Sequence, residues 1–289
     1  MEVETPILSS TAVTDPHLHN IGLNFQRRNF FLHTSPEFPM KRLLAAGSGP
    51  IYQICKVFRD DEQGPVHSPE FTMLEWYRPG FDHWRLMDEM EALLAAVFTD
   101  HLPWKTPHRT CYRQAFIDAC SIDPLAAEVP DLRDCCRRLS LEIPVGMSAE
   151  NRDEWLDWLL TQRVTPSFPK DRVTFLYEFP ASQAALARLD AEHPEVACRF
   201  EVLWGELELA NGFYELADSR EQRRRFEKDN QIRQQAGLPS VSPDEHLLAA
   251  LEAGLPDCAG VALGLDRLLM VLLGAANIDE VLAFSVDRV

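Results

Sequence analysis

The segment from Phe58 to Phe71 carries residue types that suit a triphosphate. Arg59 ends a run with strand character, a polar loop follows, and the chain returns in a second such run from residue 70. A guanidinium at a strand end can pair bidentately with phosphate oxygens, and the ring of Phe71 can stack under a nucleotide base. The pattern therefore indicates phosphate and base binding, with a solvated hairpin tip over a core phenylalanine as the alternative.

Three glutamates follow one another at intervals of seven residues, namely Glu201, Glu208 and Glu215. Seven is odd, so neighbours at that spacing on one continuous strand would point to opposite faces of a sheet. Gly205 offers a turn that could return the first two carboxylates to one face of a hairpin. Clustered carboxylates hold Mg²⁺ against phosphates or bind an ammonium group. Surface acids held in salt bridges are the alternative interpretation.

A glycine-containing stretch near the C-terminus, Gly260 to Arg267, leads into an apolar run typical of a helix. Glycines let a backbone approach a ligand closely, and an arginine at a helix start can face a phosphate or stack on a purine. The spacing matches neither the P-loop nor the dinucleotide-binding pattern. A tight turn with a capping pair of Asp266 and Arg267 is the alternative.

The elements that must position these residues can be predicted from periodicity and turn residues. Strand patterns cover residues 1–8, 51–58, 70–77, 173–179, 199–204 and 206–210. Helical patterns cover 82 to about 99, short pieces between about 109 and 165, 219–235, 242–254 and 268–273. Asp82 and Ser242 are the predicted N-caps of two of these helices. Since hairpins dominate and helices lie between early and late strands, the pattern predicts an α+β fold with a mainly antiparallel sheet flanked by helices.

Composition disfavours several classes of function. The chain has 289 residues, of which 46% are hydrophobic and 25% charged, and its 28 basic and 45 acidic residues give a net charge of −17. That charge disfavours generic binding to nucleic-acid backbones. No apolar run suits a membrane span and no signal peptide is recognisable, so we expect a cytoplasmic protein. Seven scattered cysteines without a C-x-x-C pair predict reduced thiols.

Together and in this order, the segments resemble motifs 1, 2 and 3 of the class II aminoacyl-tRNA synthetases. The matching residues are Thr5-Pro6 for motif 1, Phe58-Arg59 through His67-x-Pro69-Glu70-Phe71 for motif 2, and Gly264-x-Asp266-Arg267 for motif 3. Residues 35–37, 69–77 and 208–215 resemble the lysyl branch in particular. The resemblance implies the class II catalytic core, ATP and Mg²⁺ as cofactors, and a homodimer.

Two features are similar to a paralogous family within that branch, the ligases that join (R)-β-lysine to elongation factor P instead of tRNA. We expect no anticodon-binding domain, and Ala262 stands where the synthetases usually have glycine. Residues 34–50, 70–80 and 179–187 are also similar to these ligases. The resemblance implies elongation factor P as partner and a single catalytic domain over 1–289, with a helical insertion at about 109–165. The long helix that precedes motif 1 in the family is expected to be missing.

The resemblance also implies nucleotide contacts. Arg59 would hold the α-phosphate, His67 and Arg267 would hold the outer phosphates, and Phe71 with Arg267 would enclose adenine; Arg59 and Arg267 are the expected catalytic residues. The full set expected to contact ATP is Arg59, Asp60, Asp61, His67, Ser68, Phe71, Glu208, Leu209, Gly264 and Arg267. Glu201 and Glu208 would bind Mg²⁺. Asp61 and Ser68 replace the glutamate and asparagine that are usual in the family.

The same resemblance implies a substrate pocket. Its expected residues are Ser35, Pro36, Glu37, Glu75, Tyr77, Asn211, Phe213, Glu215 and Ala262. Glu37 would bind the amino group nearest the reacting carboxylate, while Glu75, Tyr77 and Glu215 would bind the distal ammonium. A doubly cationic substrate calls for several acids, and phosphoryl transfer needs charge neutralisation more than a general base. The methyl group of Ala262 is expected to favour a β-amino over an α-amino acid.

Two other functions stay open at this point. One is a stand-alone enzyme, similar to a lysyl-tRNA synthetase, that forms an L-lysyl adenylate. The other is a degenerate paralog that binds ATP or a partner without chemistry. The degenerate binder is favoured by Asp61, Ser68 and the expected lack of the helix before motif 1. An enzyme is favoured by the intact residues Arg59, Glu201, Glu208, Glu215 and Arg267.

Overall fold

The computed structural model describes residues 1–60, 62–99 and 101–288, which form two compact units. The first comprises Met1–Leu86 with Tyr214–Val289, and the second comprises Met87–Phe213. Both units combine helices with β-strands, so the predicted α+β class is confirmed. The single catalytic domain over 1–289, with its insertion at about 109–165, stays a prediction.

Ten strands and eight α-helices make up most of the regular structure of the described residues, and the remaining helices are short 3-10 and π segments. The strands are β1 (Leu8–Ser9), β2 (Gly22–Phe25), β3 (Arg28–Leu32), β4 (Ile51–Phe58), β5 (Glu70–Pro79), β6 (His108–Cys111), β7 (Val173–Pro180), β8 (Val196–Trp204), β9 (Leu207–Tyr214) and β10 (Cys258–Gly264). The helices are α1 (Glu37–Ala45), α2 (His83–Thr99), α3 (Tyr112–Cys120), α4 (Val129–Arg138), α5 (Arg152–Leu159), α6 (Ser219–Gln235), α7 (Glu245–Gly254) and α8 (Leu265–Leu273).

In the first unit, β4, β5 and β10 form an antiparallel sheet in that order, and β1, β3 and β2 form a second, smaller sheet. The long hairpin of β4 and β5 pairs Ile51 with Tyr77 at one end and Phe58 with Glu70 at the other. Helix α7 packs against both α1 and α6. This arrangement aligns the middle of β5 with β10 and leaves the polar loop of motif 2 at the hairpin's tip.

In the second unit, β9, β8, β7 and β6 are hydrogen-bonded in that order, and only β6 and β7 are parallel. Helices α3, α4 and α5 bury a common set of side chains together with β7. The fully buried members include Tyr112, Phe116, Leu132, Leu156 and Leu176. The helical pieces predicted between about 109 and 165 are therefore present, and they share an apolar core.

Several predicted elements are confirmed, and the differences have local causes. The pattern over residues 1–8 gives strand pairing only through β1 and an isolated bridge between Glu2 and Tyr52. The β2–β3 hairpin and β6 were not predicted: β2 is exposed throughout, the apolar residues of β3 do not alternate, and β6 is short and mainly polar. Among the described residues no helix is both long and apolar enough to cross a membrane.

The predicted N-cap of α7 is wrong by two residues. Asp82 does accept a hydrogen bond from the Arg85 amide (2.8 Å) at the start of α2. For α7, however, the cap is Asp244, whose Oδ1 accepts from the amides of His246 and Leu247 at 2.9 Å. Ser242 is exposed and lies before the helix. Both residues are good caps, so sequence alone does not choose between them.

We expect Asp244→Ala to lower the free energy of unfolding by about 1–2 kcal/mol, because it removes the cap. It also removes a hydrogen bond that the Thr11 hydroxyl donates to Asp244 Oδ2 (3.3 Å). Ser242→Ala is the matched control and should change stability by less than ~0.5 kcal/mol. Denaturant unfolding of both variants measures the difference. Equal losses would contradict this assignment of the cap.

Candidate active site

A pocket of buried charges lies in the first unit, where α1, β5 and β10 meet. It contains three carboxylates, one ammonium and one phenol. Lys41 Nζ lies 2.6 Å from Glu37 Oε1 and 2.6 Å from Glu215 Oε2. The Tyr77 hydroxyl donates to Glu75 Oε1 at 2.6 Å. We call these five residues the amine pocket, since acids in this number suit a ligand with amino groups.

The turn before α1 is built into the amine pocket. Ser35 Oγ donates to Glu75 Oε2 (2.7 Å) and accepts from the amide of Glu37 (3.0 Å). Pro36 precedes the first residue of α1, and its carbonyl accepts from the Met40 amide (3.0 Å). The three residues of the Ser-Pro-Glu segment thus fix the start of the helix and tie it to β5. The structure brings them together with Glu75, as the sequence predicts.

Burial raises the pKa of two acids in the amine pocket, Glu75 and Glu215. The pKa of Glu75 is raised to about 7, first by burial and then by the nearby Glu37 charge. Burial also raises the pKa of Glu215 to about 8, although the Lys41 ammonium opposes this effect. The pKa of Tyr77 is raised well above its usual value by burial and by Glu75. The pocket therefore holds protons near neutral pH that a cationic ligand would displace.

Burial disfavours the charge on Lys41, but the carboxylates of Glu215 and Glu37 outweigh it and raise the lysine pKa above its usual value. Lys41 was not among the residues predicted from sequence. One signal could have identified it, because Glu37 and Lys41 are four residues apart and share a helix face. The role of Glu215 as its second partner could not be predicted from spacing.

Strand β10 contributes small residues directly beside these acids. Gly260 pairs with Tyr77, and Ala262 pairs with Glu75. A Cβ on Gly260 would lie 2.3 Å from a ring carbon of Tyr77 and 2.6 Å from Glu215 Oε1. Because directly paired residues share a face, the methyl group of Ala262 lies on the same side of the sheet as the Glu75 side chain. The glycine is required for packing, and the alanine borders the amine pocket.

The motif 2 residues lie at the tip of the β4–β5 hairpin. The Arg59 guanidinium lies 5.1 Å from the centre of the Phe71 ring and 3.3 Å from Glu62 Oε1. Its Nε is buried and has no hydrogen-bond partner among the described residues. An arginine with an unsatisfied buried donor suits an anionic ligand such as a phosphate.

Two other predicted ATP contacts of this loop, Asp60 and His67, make backbone hydrogen bonds. The Asp60 amide donates to the His19 carbonyl (2.8 Å), and His67 exchanges two backbone hydrogen bonds of 3.2 Å with Gly64. Ser68 is buried. Asp61 lies outside the described residues. The contacts of these residues with ATP stay predictions.

The start of α8 is attached to motif 2. Gly264 precedes the helix, Asp266 Oδ2 accepts from the amide of Thr72 at 2.5 Å, and Arg267 Nε donates to the carbonyl of Val66 at 3.1 Å. Thr72 follows Phe71 directly. The structure therefore brings the predicted base-stacking residues of motifs 2 and 3 to one region of the first unit.

The predicted metal ligands lie in the second unit, on the β8–β9 hairpin that turns at Gly205 (φ +58°). Glu201 pairs with Asn211, but a bulge then shifts the register so that Glu208 pairs with Leu203. Since Leu203 and Glu201 are two apart on β8, the shift places both glutamates on one face.

The two glutamates interact electrostatically. The pKa of Glu201 is raised to about 7 by burial and then by Glu208, while Arg199, 2.5 Å away, opposes the shift. Two mutually repelling carboxylates fit a site where Mg²⁺ is held by protein oxygens and substrate phosphates together. Among the described residues no group of three or more His, Cys, Asp or Glu side chains forms a metal cage.

The remaining predicted contacts also lie in the second unit. Leu209 is the extra residue of the bulge and is buried. Asn211 Oδ1 accepts from Arg199 Nε at 3.4 Å. Phe213 pairs with Arg199 and packs against a small cluster of Ala184, Ala187 and Ala197. The described contacts of Phe213 are therefore those of a packing residue, and its contact with substrate stays a prediction.

We expect Gly260→Ala to lower the free energy of unfolding by about 1–3 kcal/mol, because the new methyl group overlaps Tyr77 and Glu215. Gly64→Ala is the control, since a Cβ at Gly64 would meet nothing within 4 Å. Its stability should stay within ~0.5 kcal/mol of the unaltered protein. Denaturant unfolding that gave equal midpoints for all three proteins would contradict the close packing over Gly260.

Known proteins and a family model are similar in sequence to this chain over nearly its whole length. A family model described as "tRNA synthetases class II (D, K and N)" matches residues 1–288. The elongation factor P–(R)-β-lysine ligases of Klebsiella pneumoniae (strain 342) and Edwardsiella ictaluri (strain 93-146) are each 51% identical to this chain, and that of Salmonella typhi is 50% identical. Each alignment covers 100% of this chain and 89% of the relative. The chain belongs to the family of class II tRNA synthetases.

Proposed function

We propose that this protein activates (R)-β-lysine with ATP and transfers it to the ε-amino group of a lysine of elongation factor P. The observation that carries this proposal is the amine pocket, in which Glu37, Glu75 and Glu215 are gathered around Lys41. Such a set of buried acids suits a substrate with two ammonium groups. The names of the relatives, at about 50% identity over the whole chain, supply the identity of that substrate and of the acceptor.

The reaction has two steps. A carboxylate oxygen of β-lysine attacks the α-phosphorus of ATP, and pyrophosphate leaves as an aminoacyl adenylate forms. The acceptor amine, after losing a proton to solvent, then attacks the carbonyl carbon, and AMP leaves. Both steps depend on positioning and on charge neutralisation more than on a general base.

In the proposed complex, Arg59 pairs with the α-phosphate, which would satisfy its buried Nε. Arg267 and His67 bind the outer phosphates, and the adenine lies between Phe71 and Arg267. Glu201 and Glu208 hold Mg²⁺, which when bound neutralises phosphate charge. In the amine pocket, Glu37 takes the β-ammonium and Glu75, Tyr77 and Glu215 take the distal one.

The proposal extends to assembly and location. We infer that the protein forms a homodimer, as the class II resemblance implies, and that it lies in the cytoplasm. We also infer that it acts on elongation factor P and not on tRNA. The net charge of −17 supports the last point, because a strongly acidic surface disfavours contact with an RNA backbone.

The direct test is ATP–pyrophosphate exchange with (R)-β-lysine, with L-lysine and with no amino acid. We expect exchange to depend on an amino acid and to be faster with (R)-β-lysine, followed by a mass increase of elongation factor P. Faster exchange with L-lysine would instead favour the stand-alone L-lysyl-adenylate enzyme. A protein that binds ATP but gives no exchange would be the degenerate binder.

The position of Ala262 beside Glu75 gives a second prediction. Ala262→Gly should lower the ratio of kcat/KM for (R)-β-lysine over L-lysine by about tenfold, because one methyl group in a pocket contributes ~1–3 kcal/mol of discrimination. Ala259→Gly makes the same chemical change on the same strand, opposite Arg78, and should leave the ratio unchanged. An unchanged ratio in Ala262→Gly would exclude a steric role for the methyl group.

A further inference from the structure

Lys41 carries the one ammonium group of the amine pocket, and only 2% of its side chain is exposed. It lies on the second turn of α1, where Glu37 precedes it by four residues on the same face. Its Nζ contacts one oxygen of Glu37 and one oxygen of Glu215, each at 2.6 Å. A buried lysine is stable only when its charge is compensated, and two carboxylates compensate this one.

The charges of the pocket can be counted directly. Glu37, Glu75 and Glu215 contribute −3 when ionised and Lys41 contributes +1, which leaves −2. A ligand with two ammonium groups balances this charge, whereas an amino acid with one ammonium group leaves one buried carboxylate uncompensated. An uncompensated buried charge carries a penalty of several kcal/mol or is removed by taking up a proton.

We propose that Lys41 is a positioning residue that acts as a built-in counter-cation. It orients Glu37 and Glu215, favours the ionised form of Glu215, and offsets one negative charge so that the pocket matches a substrate with two ammonium groups. This inference rests on the proposed function, because it concerns the substrate of the same pocket. Orientation matters as well as charge, since Lys41 fixes one oxygen of each carboxylate before any substrate arrives.

The effect of removing this cation has a definite sign. The groups that face Lys41 are Glu37 from its own helix, Glu215 beside β10, and Glu75 with Tyr77 from β5; Cys55 on β4 is close to Glu75. The pKa of Glu215 is already raised to about 8 while Lys41 lowers it. Without Lys41 that pKa would rise further, so the carboxylate that pairs with an ammonium group would form only at higher pH.

The test is Lys41→Met, which keeps the length of the side chain and removes its charge. In pyrophosphate exchange with (R)-β-lysine, we expect KM at pH 7 to rise at least tenfold and the difference from the unaltered protein to fall below threefold at pH 9. The KM for ATP should change less than threefold at both pH values. In a plot of KM for (R)-β-lysine against pH, the acid limb is the range in which KM rises as the pH falls. Lys41→Arg, which retains the charge, should keep this acid limb near its original pH.

A second variant separates charge balance from packing. Lys41→Met with Glu37→Gln removes one positive and one negative charge, so the pocket charge stays at −2. Because the Glu37 charge raises the pKa of Glu215, this double variant should fold even if Lys41→Met does not, and the pH below which its KM rises should lie between the values for the unaltered protein and for Lys41→Met. Failure of both variants to fold would overturn the proposal in favour of a packing role.

The outcomes for the two proposals are distinguishable. If the unaltered protein exchanges pyrophosphate with (R)-β-lysine but Lys41→Met has an unshifted acid limb, only the role of Lys41 is overturned. If the unaltered protein shows no exchange with any amino acid, the proposed function is overturned and this inference with it.

Discussion

Much of the first unit depends on one constraint, which is that several like charges are buried together. Placing three carboxylates within reach of one another raises their free energy, because each loses water and repels the others. Lys41, Tyr77 and Ser35 offset part of this penalty through short hydrogen bonds and ion pairs. The protein thus holds like charges close together, and a cationic ligand would relieve their repulsion.

The surrounding strands can be understood from the same constraint. Strand β10 pairs Gly260 with Tyr77 and Ala262 with Glu75, and any side chain at Gly260 would occupy the space of Tyr77 and Glu215. The amide of Thr72 on β5 also binds Asp266, so the strand that carries Glu75 is attached to the helix that carries Arg267. Residues expected to bind the amine and residues expected to bind the nucleotide are therefore supported by the same strand.

Much of this arrangement could be predicted from the sequence, where local signals were strong. The strands over residues 51–58 and from residue 70 have clear alternation, and Asp82 caps α2 as expected. The cap of α7 could not be predicted, because Ser242 and Asp244 are both suitable and only tertiary contacts distinguish them. The hairpin of β2 and β3 was not predicted either, since β2 is exposed throughout and the apolar residues of β3, Phe30 to Leu32, are consecutive instead of alternating.

The sequence assigned the three acids of the amine pocket to one predicted site, but it indicated neither Lys41 nor the pairing within the pocket. The motifs indicated Glu37, Glu75 and Glu215, yet the lysine that joins two of them comes from a helix face that by itself resembles an ordinary i,i+4 ion pair. That Lys41 is buried, and that its second partner lies more than 170 residues further along the chain, follow only from the tertiary structure.

The bulge in β9 has a consequence for how this hairpin can vary. Glu208 and Asn211 are three residues apart, and on a regular strand an odd separation would place them on opposite faces. The extra residue, Leu209, restores them to one face. A relative that lacks one residue between these two positions would reach the same arrangement with an unbulged strand. This hairpin can therefore lose one residue at the bulge and still keep Glu208 and Asn211 on one face.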